Sequence, residues 1–276
     1  MNALLALAAS VLWGTSDFGG GLISRRLDAS AAVLISQALA FAGLLILLPF
    51  MHLAGGGYLL IGGSAGVVAT LSLAAFYRAM ATAPMSLVAP ITAAGSAIPV
   101  LVGVARGEDL GLIQIAGIVV ALTGVVLASG PEFRSGVAVR RQAVWLAIGA
   151  AIGFGVAYTL LALAAGTNVY GTLLSQRIGG LIVLGPIVLR SGVLSGVRLS
   201  MRRLGALAAI GCGDIVANGS YALAASRGDL SIAAVLASLY PVVTALLARA
   251  ILAERLRAVQ SVGVVAALAG VVLLTS

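Results

Sequence analysis

The chain carries the stretch EDLGLIQIAGIVVALTGVVL at residues 108–127 and repeats it as ERLRAVQSVGVVAALAGVVL at residues 254–273. Among the positions that recur in register, Glu108, Gln114, Gly117, Gly124, Val125, Val126 and Leu127 return as Glu254, Gln260, Gly263, Gly270, Val271, Val272 and Leu273. Weaker matches upstream, such as Ser36-Gln37 with Ser175-Gln176, extend the similarity. Because the period is far longer than that of a solenoid repeat, the pattern indicates the duplication of a half-protein.

The composition shows in which medium these halves fold. Hydrophobic residues make up 61% of the 276 residues and charged residues only 9%, which is too little polar surface for a soluble domain. Apolar runs of roughly 20 residues recur, each long enough to cross a hydrocarbon core of about 30 Å. A spanning backbone must satisfy its own hydrogen bonds, and the runs lack the alternation of a membrane barrel. The sequence therefore predicts an all-α integral membrane protein with ten transmembrane helices, at 3–22, 30–50, 58–80, 85–105, 111–129, 143–164, 171–190, 203–225, 230–251 and 257–275.

The ten spans divide into two repeats of five. We predict a first repeat at 1–130, a linker loop at 131–142 and a second repeat at 143–276. Because five is odd, the second repeat enters the membrane in the opposite orientation, which gives an inverted repeat. All basic residues are Arg, and most lie beside the connections that follow odd-numbered spans. Since cytoplasmic loops collect Arg, we expect a multi-pass protein of the cytoplasmic membrane with both termini outside.

Several functional classes are disfavoured by what the sequence contains. The net charge of +8 is spread over many loops, without the basic and aromatic groove of a nucleic-acid-binding protein. A single Cys, Cys212, and a single His, His52, do not make a metal site. No phosphate loop is present. We therefore predict no cofactor, no nucleic-acid partner and no enzyme, although an intramembrane enzyme or a structural membrane protein remains the alternative from another class.

Several short motifs carry a family resemblance. They are Trp13-Gly14-Thr15 in the first span, Phe76-Tyr77-Arg78-Ala79 in the third, prolines in the fourth and ninth, and Glu followed by Gln-x2-Gly before the fifth and tenth. Together they resemble the EamA family of the drug/metabolite transporter superfamily, over essentially the whole chain. The second half departs from the first in having Phe154-Gly155 in place of Trp13-Gly14. The resemblance implies a secondary transporter that works by alternating access, often an exporter of amino acids or other small metabolites. Broad-specificity drug efflux is the alternative.

Proton coupling requires an ionisable group inside the membrane, and two carboxylates fit. Asp17 and Asp214 each lie roughly midway along a predicted span. A charge at the bilayer centre costs about 2.5–3.5 kcal/mol on insertion scales, so such an Asp must be paired, protonated or exposed to a watery cavity. We expect one or both to bind a proton or a cationic substrate group. The alternative is that neighbouring polar groups, among them Asn218, simply hold them.

Three further polar residues lie inside predicted spans. Arg177 is expected either to bind a carboxylate, from substrate or from an intramembrane Asp, or to extend toward the interface. Gln37 and Gln176 occupy equivalent places in the second and seventh spans. They could bind substrate or form a contact between helices. These alternatives stay open at the level of sequence.

Helix breaks and aromatic residues complete the candidate site. The prolines remove a backbone hydrogen bond each and predict kinks in the fourth, seventh and ninth spans, at Pro90, Pro99, Pro186 and Pro241. Kinks expose backbone groups that can bind a ligand, and Tyr240 directly precedes the last proline. Trp13, near the middle of its span, suits a cavity wall better than an interfacial belt.

The repeated Glu108 and Glu254 look like a functional pair but fall at the turns between spans. On opposite membrane faces they would be too far apart to share a proton. We therefore expect them to cap or salt-bridge the short turns.

Overall fold

The structure, a computed structural model, describes residues 1–53, 56–83, 85–128, 141–197, 199–252 and 258–275, and within these ranges its regular secondary structure is helical. Twelve α-helices follow one another along these ranges. They are α1 (Asn2–Ser24), α2 (Ala29–Leu47), α3 (Gly57–Thr82), α4 (Met85–Ala93), α5 (Ala97–Ala105), α6 (Leu112–Ala128), α7 (Arg141–Ala165), α8 (Val169–Arg190), α9 (Met201–Arg227), α10 (Leu230–Ala237), α11 (Tyr240–Leu252) and α12 (Ala258–Thr275).

Eight helical segments in the described ranges are long and apolar enough to cross a membrane. The first predicted span, now α1, and the fifth, now α6, are also helical but fall outside this set; α6 has 17 residues. The protein is thus an all-helical, multi-pass membrane protein, and the count of ten crossings stays a prediction. Of the predicted linker 131–142, residues 131–140 lie outside the described ranges, and α7 begins earlier than predicted, at Arg141.

The fourth and ninth spans are each broken into two helices. A 3-10 turn, Ala94–Ser96, separates α4 from α5, and two non-helical residues separate α10 from α11. Pro99 and Pro241 lie in the first turn of α5 and α11, where a missing N–H costs least. At the other two prolines the helix is continuous: α4 continues past Pro90 and α8 continues past Pro186. Kinks at these two positions stay a prediction.

The duplicated stretch forms a seam between α6 and α12. A Cβ on Gly124 would meet the backbone of Ala267, and a Cβ on Gly270 would meet Ala121. Gly124 and Gly270 are counterparts in the repeat, and so are Ala121 and Ala267. The two contacts are therefore related by the repeat, because each glycine packs against the alanine of the other copy. Residues with higher numbers on α6 contact residues with lower numbers on α12, so the two helices run antiparallel, with their backbones in close contact.

Adding a methyl group to this seam is expected to weaken the fold. In Gly124→Ala the new Cβ would lie 2.2 Å from the Ala267 nitrogen, so the helices must separate. We expect a loss of about 1–3 kcal/mol in unfolding free energy, seen as a lower melting temperature in detergent. The matched control is Gly149→Ala on α7, where nothing lies within 4 Å of the added Cβ. A Gly124→Ala protein that melts with the control would contradict this account of the seam.

The remaining helices surround the centre of the molecule. α1 packs against α9 and α11, while α3 packs against α7 and α8. The α3–α8 crossing is close, since a Cβ on Gly66 would overlap the backbone of Gln176, and one on Gly179 would overlap Gly63. Close crossings of this kind bring the polar residues of α1, α2, α8 and α9 within reach of one another.

Candidate functional site

A polar chamber lies at the centre of the helices. All eight substrate or proton candidates line it, together with residues of α3 and α7: Trp13, Asp17, Gln37, Gln176, Arg177, Asp214, Asn218 and Tyr240. The space open to water-sized molecules is about 20 Å³, enough for about one water. Little open space therefore remains in the chamber, and we call this form closed. The roles of these residues stay predictions, but their proximity is a structural fact.

Arg177 on α8 forms the electrostatic centre of the chamber. Its Nη2 donates to Asp214 Oδ2 at 2.6 Å, and its Nη1 donates to Gln37 Oε1 on α2. The side chain is only 3% exposed, so it does not extend to the interface. Its Nε is buried with no partner in the described ranges. A buried charge needs a counter-charge, and of the two alternatives for Arg177 the structure places it with an intramembrane Asp.

Asp17 on α1 lines the same chamber but, unlike Asp214, is not part of the ion pair with Arg177. Its carboxylate makes no hydrogen bond or ion pair with any residue that the structure describes. The neighbouring Thr15 hydroxyl donates to the Val11 carbonyl, and Asn218 donates to the backbone carbonyl of Asp214. The local polar groups suggested by the sequence therefore do not hold Asp17. An unpartnered carboxyl in a cavity is available to bind a proton or an ammonium group.

The two glutamines are not bonded to each other. Gln37 accepts from Arg177, while Gln176 Oε1 is buried without a partner among the described residues. The repeat-related pair thus divides into one amide that positions the guanidinium and one acceptor that is unused in the closed form. An unsatisfied buried acceptor is costly, so Gln176 Oε1 is available to accept a hydrogen bond.

An aromatic partition, formed by Trp13, Phe154, Tyr158 and Tyr221, borders the polar chamber. The Trp13 and Tyr158 rings stack with centroids 4.6 Å apart, and the Phe154 and Tyr158 rings stack at 5.6 Å. Tyr221 closes the cluster at 5.5 Å from Tyr158. These rings bury a large apolar area. They divide the centre of the protein into two chambers, because three of them line both.

The second space, the hydroxyl chamber, lies at the broken helices. Four of the residues that line it carry hydroxyl groups and lie at the broken helices: Thr92, Ser96, Ser238 and Tyr240. The Thr92 hydroxyl and the Tyr240 hydroxyl are hydrogen-bonded at 2.7 Å, which links α4 to α11. The open space is about 10 Å³. Sequence analysis did not single out Thr92 or Ser96, and a search for hydroxyls beside each predicted helix break would have found them.

Known proteins resemble this chain in sequence and in fold. Residues 141–276 match the model of the EamA-like transporter family. The second half of this chain belongs to the EamA-like transporter family. This family indicates a membrane transporter of the drug/metabolite transporter type. A solved crystal structure shares the fold with a TM-score of 0.71 and 18% identity, over 99% of this chain and 98% of its own. No curated protein matches the sequence.

The charges of this EamA-like chain are distributed unequally over its two halves. Aligning Trp13-Gly14 with Phe154-Gly155 places Asp17 opposite Tyr158, and aligning Phe76 with Tyr221 places Asp214 opposite Ala69. Tyr158 and Ala69 line the same polar chamber. Equivalent positions of the two halves therefore meet at the chamber, but the charge is on one member of each pair.

The turn glutamate of the first half has a different partner from the expected one. Glu108 accepts hydrogen bonds from the N–H groups of Leu230 and Ser231 at the start of α10. It caps a helix, as predicted, but in the other half of the chain rather than in its own turn. Its repeat counterpart, Glu254, lies outside the described residues.

Proposed function

We propose that the protein is a secondary active transporter that exports a small metabolite bearing an amine, such as an amino acid, in exchange for protons. One observation carries the proposal: the unpartnered Asp17 lies in the same closed chamber as the Arg177–Asp214 ion pair. Without Asp17 the charges of the chamber would balance, because Arg177 and Asp214 neutralise each other. Asp17 adds a carboxyl group that has no cation of its own.

The charges of the chamber favour a cationic ligand. Two carboxylates and one guanidinium leave one negative charge in excess when all three groups are ionised. Leaving a lone charge in a low-dielectric interior is costly, so a proton or an ammonium group is expected to neutralise it. Competition of proton and amine for one carboxyl is the simplest way to couple their movement in opposite directions.

The same chamber has groups for the other end of an amino acid. Arg177 has an unpartnered Nε, which can donate to a substrate carboxylate, and Gln176 offers an unpartnered acceptor. A zwitterion would thus extend from Asp17 to Arg177. Its apolar side chain would contact Trp13 and Tyr158. These contacts favour a small amphipathic substrate.

Alternating access requires that the chamber open to one face at a time. The polar and hydroxyl chambers both hold little open space. The broken helices α4–α5 and α10–α11 line the hydroxyl chamber, and Tyr240 of α11 lines both chambers. The antiparallel α6–α12 seam, with contacts that exchange under the repeat, supports two inverted five-helix repeats around this centre. The placement of Arg in the loops supports a cytoplasmic membrane with the termini outside.

Purified protein in proteoliposomes provides the direct test. Pools of amino acids, sugars and cationic drugs are added under an imposed pH gradient, and proton flux is followed with an internal pH dye. We expect amine-bearing amino acids to drive proton flux, and the active pool is then resolved into single compounds. Liposomes without protein and a sugar-only pool serve as controls. Absence of substrate-driven proton flux for every pool would overturn proton coupling.

Broad drug efflux is the second candidate, and the aromatic partition favours it. Three buried aromatic rings and the partly buried Tyr158 offer stacking and cation–π contacts that do not depend on an exact substrate shape. The same screen separates the two. Proton flux driven by several unrelated aromatic cations, with none from amino acids, would indicate a drug exporter.

A further inference from the structure

The start of α10 is held by a carboxylate from the opposite half of the chain. Glu108 lies between α5 and α6, and its Oε1 accepts from the N–H of Leu230 at 2.6 Å while its Oε2 accepts from the N–H of Ser231 at 3.0 Å. The first amides of a helix have no partners within the helix. A carboxylate on two of them makes a charge-assisted pair of hydrogen bonds at the positive end of the helix dipole.

The surroundings of Glu108 are shaped for this contact. Ser231 is fully buried and its hydroxyl donates to the Val100 carbonyl on α5 at 3.2 Å, which adds a third hydrogen bond across the same junction. Gly103 leaves the necessary space, because a Cβ there would lie 2.3 Å from both Glu108 Oε2 and Ser231 Oγ. The junction of α5 and α10 thus depends on three hydrogen bonds and one glycine.

Helix α10, whose start Glu108 caps, lies between two cavities. Ala234 and Ala237 of α10 line the hydroxyl chamber. Ile232 and Ala233, on another side of α10, line an outer pocket of about 140 Å³ between α10, α9 and the start of α1. α10 has eight residues and ends at the break before α11. The hydrogen bonds to Glu108 hold its start, the two non-helical residues 238–239 join its end to α11, and open volume lies beside it.

We propose that α10 is a gate to the central chambers and that Glu108 is the positioning residue that latches it shut. The inference rests on the proposed alternating-access transport. When the three hydrogen bonds break, α10 tilts about the break that precedes Tyr240, and the hydroxyl chamber opens toward the membrane face where the N terminus and the Glu108 turn lie. When they re-form, this face is closed.

A capping residue next to α10 in sequence could not act as a latch. Asp229 occupies the N-cap position of α10, yet its side chain makes no capping hydrogen bond. A cap from the adjacent residue moves with its helix and is kept in every state. A cap from α5–α6 must break whenever α10 moves away from α5, so its energy stabilises the closed state alone. The use of the remote Glu108 is therefore what a gate requires.

Accessibility of an engineered cysteine tests the latch without a known substrate. The native Cys212 is replaced with Ala, and Ser238→Cys places a thiol in the hydroxyl chamber at the pivot. A membrane-impermeant thiol reagent is added to either face of the membrane, and the labelling rate is measured. Glu108→Ala is expected to raise the rate at least about tenfold, from the face that carries the N terminus. Ser231→Ala, which removes one hydrogen bond only, is expected to raise it less.

Two controls decide the outcome. Asp109→Asn alters an exposed neighbouring carboxylate for which the described residues provide no hydrogen bond, and the labelling rate should not change. Ala121→Cys, buried in the α6–α12 seam, reports general loosening. The proposal is overturned if Ser238→Cys labels equally with and without Glu108, or if both cysteines become reactive together. If Glu108→Ala does not yield folded protein, the same measurement on Ser231→Ala decides. Because no transport is measured, a failed latch and a failed transport proposal are distinguishable.

Discussion

Arg177→Ala is expected to abolish transport and to destabilise the protein by about 3–5 kcal/mol. The substitution removes the cation that pairs with Asp214 and leaves two carboxyl groups, Asp17 and Asp214, in one closed chamber. Gln37 also loses the group to which it is bonded. Unfolding in detergent and uptake in proteoliposomes measure the two effects separately.

The matched control is Arg190→Ala on the same helix. Arg190 lies in the last turn of α8 and is exposed, so its removal should change stability by no more than about 0.5 kcal/mol. A second variant, Arg177→Ala with Asp214→Ala, removes both partners. It should recover part of the stability without recovering transport. An Arg177→Ala protein as stable and active as the wild type would refute the buried ion pair.

Asp17→Asn is expected to reduce proton-coupled transport roughly 10–100-fold while leaving the fold intact. Asn has the shape of Asp, and the Asp17 carboxylate has no hydrogen bond to lose in the part of the chain that the structure describes. What disappears is the charge that attracts a proton or an ammonium group. The remaining uptake should be independent of the pH gradient.

Asp17→Asn and Asp109→Asn are compared in the same assay. Asp109 is exposed outside the chambers, so its neutralisation should leave both the rate and the pH dependence unchanged. Asp214→Asn is added because either carboxyl could carry the proton. If Asp17→Asn and Asp214→Asn both retain the wild-type rate and pH dependence, coupling through this chamber is excluded.

The existence of the helices could be predicted from the sequence with good accuracy. Hydropathy alone placed helices at every predicted span, because apolar residues in lipid must form helices. The breaks in the fourth and ninth spans were harder to predict from the sequence. Pro99 and Pro241 marked them, but Pro90 and Pro186 looked the same in sequence and lie in continuous helices. Whether a proline interrupts a helix depends on its neighbours in space, which the sequence does not list.

The proximity of the chamber residues could be predicted, but not their pairing. A charged or amide group within an apolar span is costly unless it faces other polar groups, so the six charged and amide candidates were expected to point inward. Which helices face each other depends on packing. The alternatives for Arg177 were decided by the crossing of α8 with α2 and α9, and Glu108 was joined to α10 by a contact 122 residues away. Contacts of this range have no local signal.

The α6–α12 seam, which the duplicated stretch forms, lies apart from both chambers. Described residues of α6 and α12 line neither the polar nor the hydroxyl chamber, and their glycines are used for contact with each other. In evolutionary terms, selection on this seam and selection on the chambers act on separate residues. A lineage can exchange its substrate while it keeps the motif by which it is recognised. Shared ancestry read from that motif therefore carries little information about cargo.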